Sequence, residues 1–244
     1  MQLTAFLLAI FYKNMESHPN QFVIIVAGGS GSRMGAKMPK QFIEVAGKPI
    51  LMHTIERFLS YSATLKIILV LPAKEMPPWH ALCEKHNFYT PIFTTVGGNT
   101  RFRSVKNGLS TIKAKEGLVA VHDGVRPFLT TQLIEQGFAV AAQKGTAVAC
   151  VPLKDSARVV NATGQSQAVD RAAYRLIQTP QTFRLDWMRQ AFDTPEEPAF
   201  TDCASVLEHA GYHITLIDGL YQNIKITTPE DLRWAEVFVQ AENL

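Results

Sequence analysis

The chain alternates between two hydrophobic rhythms. Phe22-Val23-Ile24-Ile25-Val26 is an unbroken apolar, mostly β-branched run, the pattern of a strand buried on both faces. Leu65–Leu71 repeats it, and Ile92–Val96, Leu118–Val121 and Thr146–Val151 are further versions. Between these runs the spacing becomes helical. Leu51, Ile55, Phe58 and Leu59 share one helical face within residues 50–59, and another helix is predicted from about Thr131 to Gln143. Thr201 is placed to cap a helix ending at Gly211, after which Tyr212–Ile217 returns as a strand. Thr228-Pro229-Glu230-Asp231 is a helix start, with a capping hydroxyl, a proline in the first turn and acids at the positive end. Strands alternating with helices predict an α/β fold on a mostly parallel central sheet flanked by helices.

One stretch breaks the alternation. Residues 152–173 are polar, with short Val/Ala segments around Asn161-Ala162-Thr163-Gly164, and read as a hairpin-like β-arm protruding from the main sheet. No internal repeat or low-complexity linker divides the rest, so residues 21–244 read as a single domain and residues 1–20 as an N-terminal extension. The apolar run Leu3–Tyr12 is about half the ~20 residues a membrane-spanning helix needs. It also lacks the basic start and small-residue cleavage site of a signal peptide. Residues 1–14 are read as an upstream extension before Met15.

Composition narrows the function. Of 244 residues, 47% are hydrophobic and 18% charged, which is ordinary for a globular chain. Twenty-four basic against 21 acidic residues leave a net +3, too little for a general nucleic-acid or membrane binder but compatible with a local anion site. Cys83, Cys150 and Cys203 are few and widely spaced, which excludes a disulfide scaffold and points to a reducing cytoplasm. His53, His80, His86, His209 and His213 show no paired spacing and are read as structural or surface residues.

The candidate chemistry follows the first strand directly, in Ala27-Gly28-Gly29-Ser30-Gly31-Ser32-Arg33-Met34-Gly35. Glycines beyond the carboxyl end of a parallel strand let backbone N–H groups approach a phosphate. A P-loop would end in Gly-Lys-Ser/Thr, which is missing. Gly29, Gly31 and Gly35 give G-x-G-x-x-x-G, one residue longer than the dinucleotide fingerprint. The cations Arg33, in the loop, and Lys40, in Pro39-Lys40-Gln41, fit a triphosphate undergoing substitution at its α-phosphorus, where fixed charge stabilises the transition state.

These stretches occur together with His122-Asp123-Gly124-Val125-Arg126-Pro127, Thr179-Pro180-Gln181, Thr201-Asp202-Cys203-Ala204-Ser205 and Asn223-Ile224-Lys225-Ile226-Thr227-Thr228-Pro229-Glu230-Asp231-Leu232. From Phe22 to the C-terminus the chain resembles the 2-C-methyl-D-erythritol 4-phosphate cytidylyltransferases of the non-mevalonate isoprenoid pathway. The resemblance implies a Rossmann-like fold and transfer of CMP from CTP to the sugar-alcohol phosphate, with release of pyrophosphate. It implies that Arg33 and Lys40 stabilise the α-phosphorus, and that Arg171 and Lys225 position the attacking phosphate. Ala27, Gly28, Gly29 and Gly31 would hold CTP phosphates, Gly98 and Ser104 would line the cytosine pocket, and Asn99, Asp123 and Gly124 would lie at the ribose. Asp123, Arg126, Ser156 and Thr179 would meet the second substrate. Mg²⁺ or another divalent cation would travel mainly on the CTP phosphates, with no firm protein ligand and Asp123 as the candidate. A homodimer through the arm would carry Arg171 into the other subunit's site.

Three departures stand out. Asn99 and Thr100 occupy a loop that is acidic in many relatives, Cys203 replaces a usual Glu, and Ser156 replaces a usual Thr. The ribitol-5-phosphate cytidylyltransferases share most of the motifs and are the alternative. Simpler readings stand beside these: Lys225 pairing with Asp231 or Glu230, and Arg171 merely solvated. An NAD(P)-dependent oxidoreductase would need an acid after the second strand, where Leu71-Pro72-Ala73-Lys74-Glu75 offers only the poorly placed Glu75. A non-catalytic nucleotide sensor would release no pyrophosphate.

Overall fold

A computed structural model describes residues 20–29 and 38–242. The extension read at residues 1–14, and the loop residues Gly31 and Arg33, lie outside the described residues.

The strands are β1 (Gln21–Val26), β2 (Glu44–Val45), β3 (Lys48–Pro49), β4 (Lys66–Leu71), β5 (Phe93–Val96), β6 (Leu118–Asp123), β7 (Thr146–Pro152), β8 (Arg158–Val160), β9 (Ser166–Ala168), β10 (Arg175–Arg184) and β11 (Leu216–Asp218). The helices are α1 (Ile50–Tyr61), α2 (Met76–Lys85), α3 (Arg101–Thr111), α4 (Thr131–Lys144), α5 (Leu185–Ala191), α6 (Cys203–His209) and α7 (Pro229–Glu242). The main sheet has the order β11-β7-β10-β6-β1-β4-β5. β10 is antiparallel to both its neighbours, and the other pairings of this sheet are parallel.

β1 shows why its sequence is apolar throughout. Val23 and Ile25 enter a core shared with Leu51, Ile55 and Phe58 of α1 and Phe138 of α4. Phe22 and Ile24 point the other way, against Val105 and Leu109 of α3 and Met188 of α5. A third cluster joins Ala235 and Val239 of α7 to Ile50, Val125, Phe128 and Ile226.

The structure departs from the sequence reading in several places, the helices α3 and α5 among them, which the hydrophobic pattern does not mark. β10 was not expected. Its sequence RLIQTPQTFR is polar and holds Pro180, which a central strand normally excludes. The register with β7 shifts between Ile177 and Gln181, so the proline occupies an irregularity rather than a regular rung. Asp202, not Thr201, caps α6: its carboxylate accepts from Ser205 N at 2.8 Å, and Ser205 Oγ lies 3.3 Å from the Asp202 N–H. The strand expected over Tyr212–Ile217 is confined to Leu216–Asp218. Helix α2 was missed because two prolines open it, although its buried Trp79 stacks on Phe42.

β8 and β9 pair only with each other, joined by a turn in which Asn161 Oδ1 accepts from Thr163 N and Gln165 N. Both strands are exposed throughout, with Val159 and Val160 open to solvent. No helix among the described residues is long and apolar enough to cross a membrane.

Candidate active site

From β1 the chain steps outward to β4 and β5, then returns to β6 on the opposite side of β1. A crevice opens at such a reversal, beyond the carboxyl ends of the strands. Ala27, Gly28 and Gly29 follow β1 there, and Asp123 ends β6 beside them. These four line one cleft with Lys40, Gly98, Asn99, Ser104 and Lys225, joining predicted residues from five segments. Arg101 and Gln41 line it too, although the sequence reading gave neither a role.

The loop before α3 is built to hold backbone groups in place. Thr100 caps the helix, its Oγ1 accepting from Arg103 N at 3.1 Å. Ser104 Oγ donates to the Thr100 carbonyl at 2.8 Å and accepts from Gly98 N at 3.2 Å. A Cβ on Gly98 would stand 2.3 Å from Arg103 Cβ, so only glycine lets this loop fold onto its helix. Lys40 crosses the opposite wall: its Cε lies 3.0 Å from where a Gly29 Cβ would sit.

Asp123 is the electrostatic hub. Its Oδ2 accepts from Lys225 Nζ at 3.0 Å and Arg126 Nε at 3.3 Å, and its Oδ1 lies 3.8 Å from Arg101 Nε. Burial alone would raise the Asp123 carboxyl, but Arg101, Lys225 and Arg126 outweigh it and hold it far below the usual carboxylate range. Lys225 therefore pairs with Asp123, not with Asp231, whose Oδ2 instead accepts from the backbone N–H groups of Thr227 and Thr228.

A second groove adjoins the cleft and shares Arg101, Asp123 and Lys225 with it, adding Arg126, Thr179 and Gln181. Thr179 Oγ1 accepts from Asp123 N at 3.1 Å, and Arg126 Nη1 donates to the Asn223 carbonyl at 2.8 Å. His122 is fully buried, which pushes it down to about 4. The neutral ring places Nε2 3.0 Å from the Arg126 carbonyl and serves as a brace. Gln181 braces α6, its Oε1 accepting from Cys203 N and Ala204 N. Cys203 Sγ lies 3.3 Å from Arg101 Nη1, and burial raises the thiol, keeping it neutral.

Some predicted residues are not brought together. Gly124 packs behind the cleft, where a Cβ would meet Ala27 Cβ at 2.9 Å. Ser156 and Arg171 are exposed on the arm's flanks and line neither cleft nor groove. Arg171 Nη1 donates to the Lys154 carbonyl at 2.6 Å.

The described residues thus surround one carboxylate with cations, and the two hydroxyls they bring to the cleft, Thr100 Oγ1 and Ser104 Oγ, are committed to their own loop. Such a site suits substitution at phosphorus between two anions, with nothing covalent asked of the protein. Transfer of a nucleotidyl group from a nucleoside triphosphate is chemistry of this kind, and the fold and cleft are those of a nucleotidyltransferase. A family model described as 2-C-methyl-D-erythritol 4-phosphate cytidylyltransferase matches residues 21–241, and the chain belongs to that family. A protein of that name from Bacteroides thetaiotaomicron is 48% identical over 213 residues, covering 87% of this chain and 96% of its own. One from Porphyromonas gingivalis is 47% identical over 221 residues, covering 90% and 97%. Among solved structures, the 4-diphosphocytidyl-2C-methyl-D-erythritol synthase of Anaerococcus prevotii superposes with a TM-score of 0.78 at 26% identity, covering 92% of this chain and all of that one. The 2-C-methyl-D-erythritol 4-phosphate cytidylyltransferase of Thermus thermophilus gives 0.74 at 28%, covering 91% and 99%.

Proposed function

We propose that the cleft binds CTP and the adjoining groove receives the phosphate of 2-C-methyl-D-erythritol 4-phosphate. An oxygen of that phosphate attacks the α-phosphorus of CTP, the bond to the bridging oxygen breaks, and pyrophosphate leaves. The nucleophile is already ionised at neutral pH, so no general base is needed. What carries the reading is one arrangement: Lys40 over Gly29 and Lys225 held by Asp123, lining a single cleft. Lys40, with Arg33 outside the described residues, stabilises the transition state. Gly28, Gly29 and Gly31 hold the phosphates, Gly98 and Ser104 the cytosine, and Asn99 and Asp123 the ribose, with Gly124 packed behind them. Arg126, Thr179 and Lys225 orient the acceptor.

Asp123, the carboxylate of the cleft, is already committed to three cations, which is a poor donor set for a resident divalent ion. Mg²⁺ therefore enters with the CTP phosphates. Three unpaired cysteines fit a cytoplasmic protein. The relatives' shared name favours the methylerythritol acceptor over ribitol 5-phosphate.

Pyrophosphate release tests the reading. Release is expected from CTP with methylerythritol phosphate and not with ribitol phosphate. UTP should be roughly 10–100-fold poorer, because it leaves pocket polar groups unpaired. Preference for ribitol phosphate, or no release, would sink it.

In the same reading residues 21–244 form one domain whose arm at about 152–173 makes a homodimer, each arm completing the other subunit's site. An isolated two-stranded ribbon is marginal in water, and this one exposes Val159 and Val160. Ser156 and Arg171 lie away from the cleft of their own chain, and two-fold pairing delivers Arg171 of the partner subunit symmetrically. Mixing Arg171→Ala with Lys40→Ala chains gives heterodimers with one intact site, so activity should partly return. Subunit exchange without recovery would show that each chain builds its own site.

A further inference from the structure

In the wall of the cleft, three segments meet on one buried amide. Gln41 is fully buried on the short turn Lys40–Phe42, one residue after Lys40. Its Nε2 donates to the Ala27 carbonyl at 2.7 Å and to a Glu75 carboxylate oxygen. Glu75 is also buried, on the turn Ala73–Glu75 that follows β4. The Ala27 N–H in turn donates to the Val70 carbonyl of β4 at 3.0 Å. One side chain thereby ties the start of the glycine loop, the Lys40 turn and the end of β4.

The two ends of that amide are not equivalent. A carbonyl oxygen and an ionised carboxylate only accept, so both must face the NH₂ end. The Ala27 carbonyl and Glu75 together therefore set which way the Gln41 amide lies, with its Oε1 left without a hydrogen-bond partner among the described residues. With the amide reversed, Oε1 would meet the Ala27 carbonyl, oxygen to oxygen. Burial raises the Glu75 carboxyl from its ordinary value, so an acid at this place costs stability that a neutral side chain would not.

The geometry points to Glu75 as a positioning residue: through Gln41 it fixes the turn from which Lys40 reaches across Gly29 to the nucleotide phosphates. The role rests on the reading of the cleft given above. It also gives a role to the acid after β4, which the sequence reading left without one.

Glu75→Gln is the informative variant, because it keeps the volume yet can donate as well as accept. It should lower turnover roughly tenfold, the size of one mis-set hydrogen bond. The KM for the acceptor phosphate should stay within about twofold. In a Lys40→Ala background the same change should cost nothing further, since the group it aims is gone. An equal loss in both backgrounds would mark a merely structural role and overturn the inference, as would wild-type turnover in Glu75→Gln. Failure of the wild type to release pyrophosphate would sink the reading of the cleft instead. The ¹⁵N resonance of the Gln41 side-chain amide decides the geometry without turnover. It should move in Glu75→Gln, and an unmoved resonance overturns the inference whatever the activity.

Discussion

Lys40→Ala is expected to lower turnover of bound CTP by roughly 10²–10³, with a much smaller change in CTP affinity. Charge grows on the α-phosphate oxygens and on the departing pyrophosphate only as the bond breaks. A cation fixed beside that point stabilises the transition state more than the ground state. Removing one such preorganised group typically costs about 3–4 kcal/mol. Lys40 rides over Gly29 on a turn pinned by buried Phe42 and Gln41, so its placement costs no reorganisation during reaction. Single-turnover rates and direct CTP binding separate the two effects. Collapse of CTP binding with unchanged turnover of bound nucleotide would assign Lys40 to affinity alone.

Asp123→Asn should damage stability and activity together. The substitution keeps the shape and leaves Arg101, Arg126 and Lys225 facing one another without their shared anion. Removing one member of a buried ion cluster costs about 3 kcal/mol. For a chain of this length that lowers Tm by roughly 6–12 °C. Lys225, no longer held at its end, should lose its aim, and a 1 Å misplacement costs about 10²-fold in rate. The acid limb of stability gives a separate check. The Asp123 carboxyl is depressed on folding, so its contribution is complete above the unfolded value of about 3.9 and drains away as pH falls below it. The variant should lack that part of the acid transition. A Tm equal to wild type at pH 7 would mean that the cluster is not stabilising.

Much of this was legible in the sequence, for a physical reason. β1 and β4 are apolar on both faces because helices cover both sides of the sheet, so their strands announce themselves without tertiary knowledge. The loops at their ends carry chemistry in adjacent residues, and Gly28, Gly29, Lys40, Gly98 and Asp123 do share one cleft. What escaped depends on contacts between distant segments. β10 looks like a loop until β6 and β7 flank its polar residues. Arg101 carries no signal of its own until Asp123 arrives from 22 residues on (123 − 101). Glu75 reads only as a poorly placed acid after the second strand until Gln41 comes to meet it. Thr201 and Asp202 both qualify as caps by residue type, and only the backbone turn decides between them.

The place of β10 also shapes how the polypeptide is made. It is the antiparallel strand lodged between β6 and β7, yet it leaves the ribosome after both. From the end of β7 to the end of β10 is 32 residues (184 − 152), or roughly 2–6 s of synthesis at 5–20 residues per second. During that interval the facing edges of β6 and β7 carry unpaired N–H and C=O groups on apolar strands, the template on which nascent chains mispair. The exposed arm is made within the same interval, so the nascent chain meets its most vulnerable moment just before the strand that ends it.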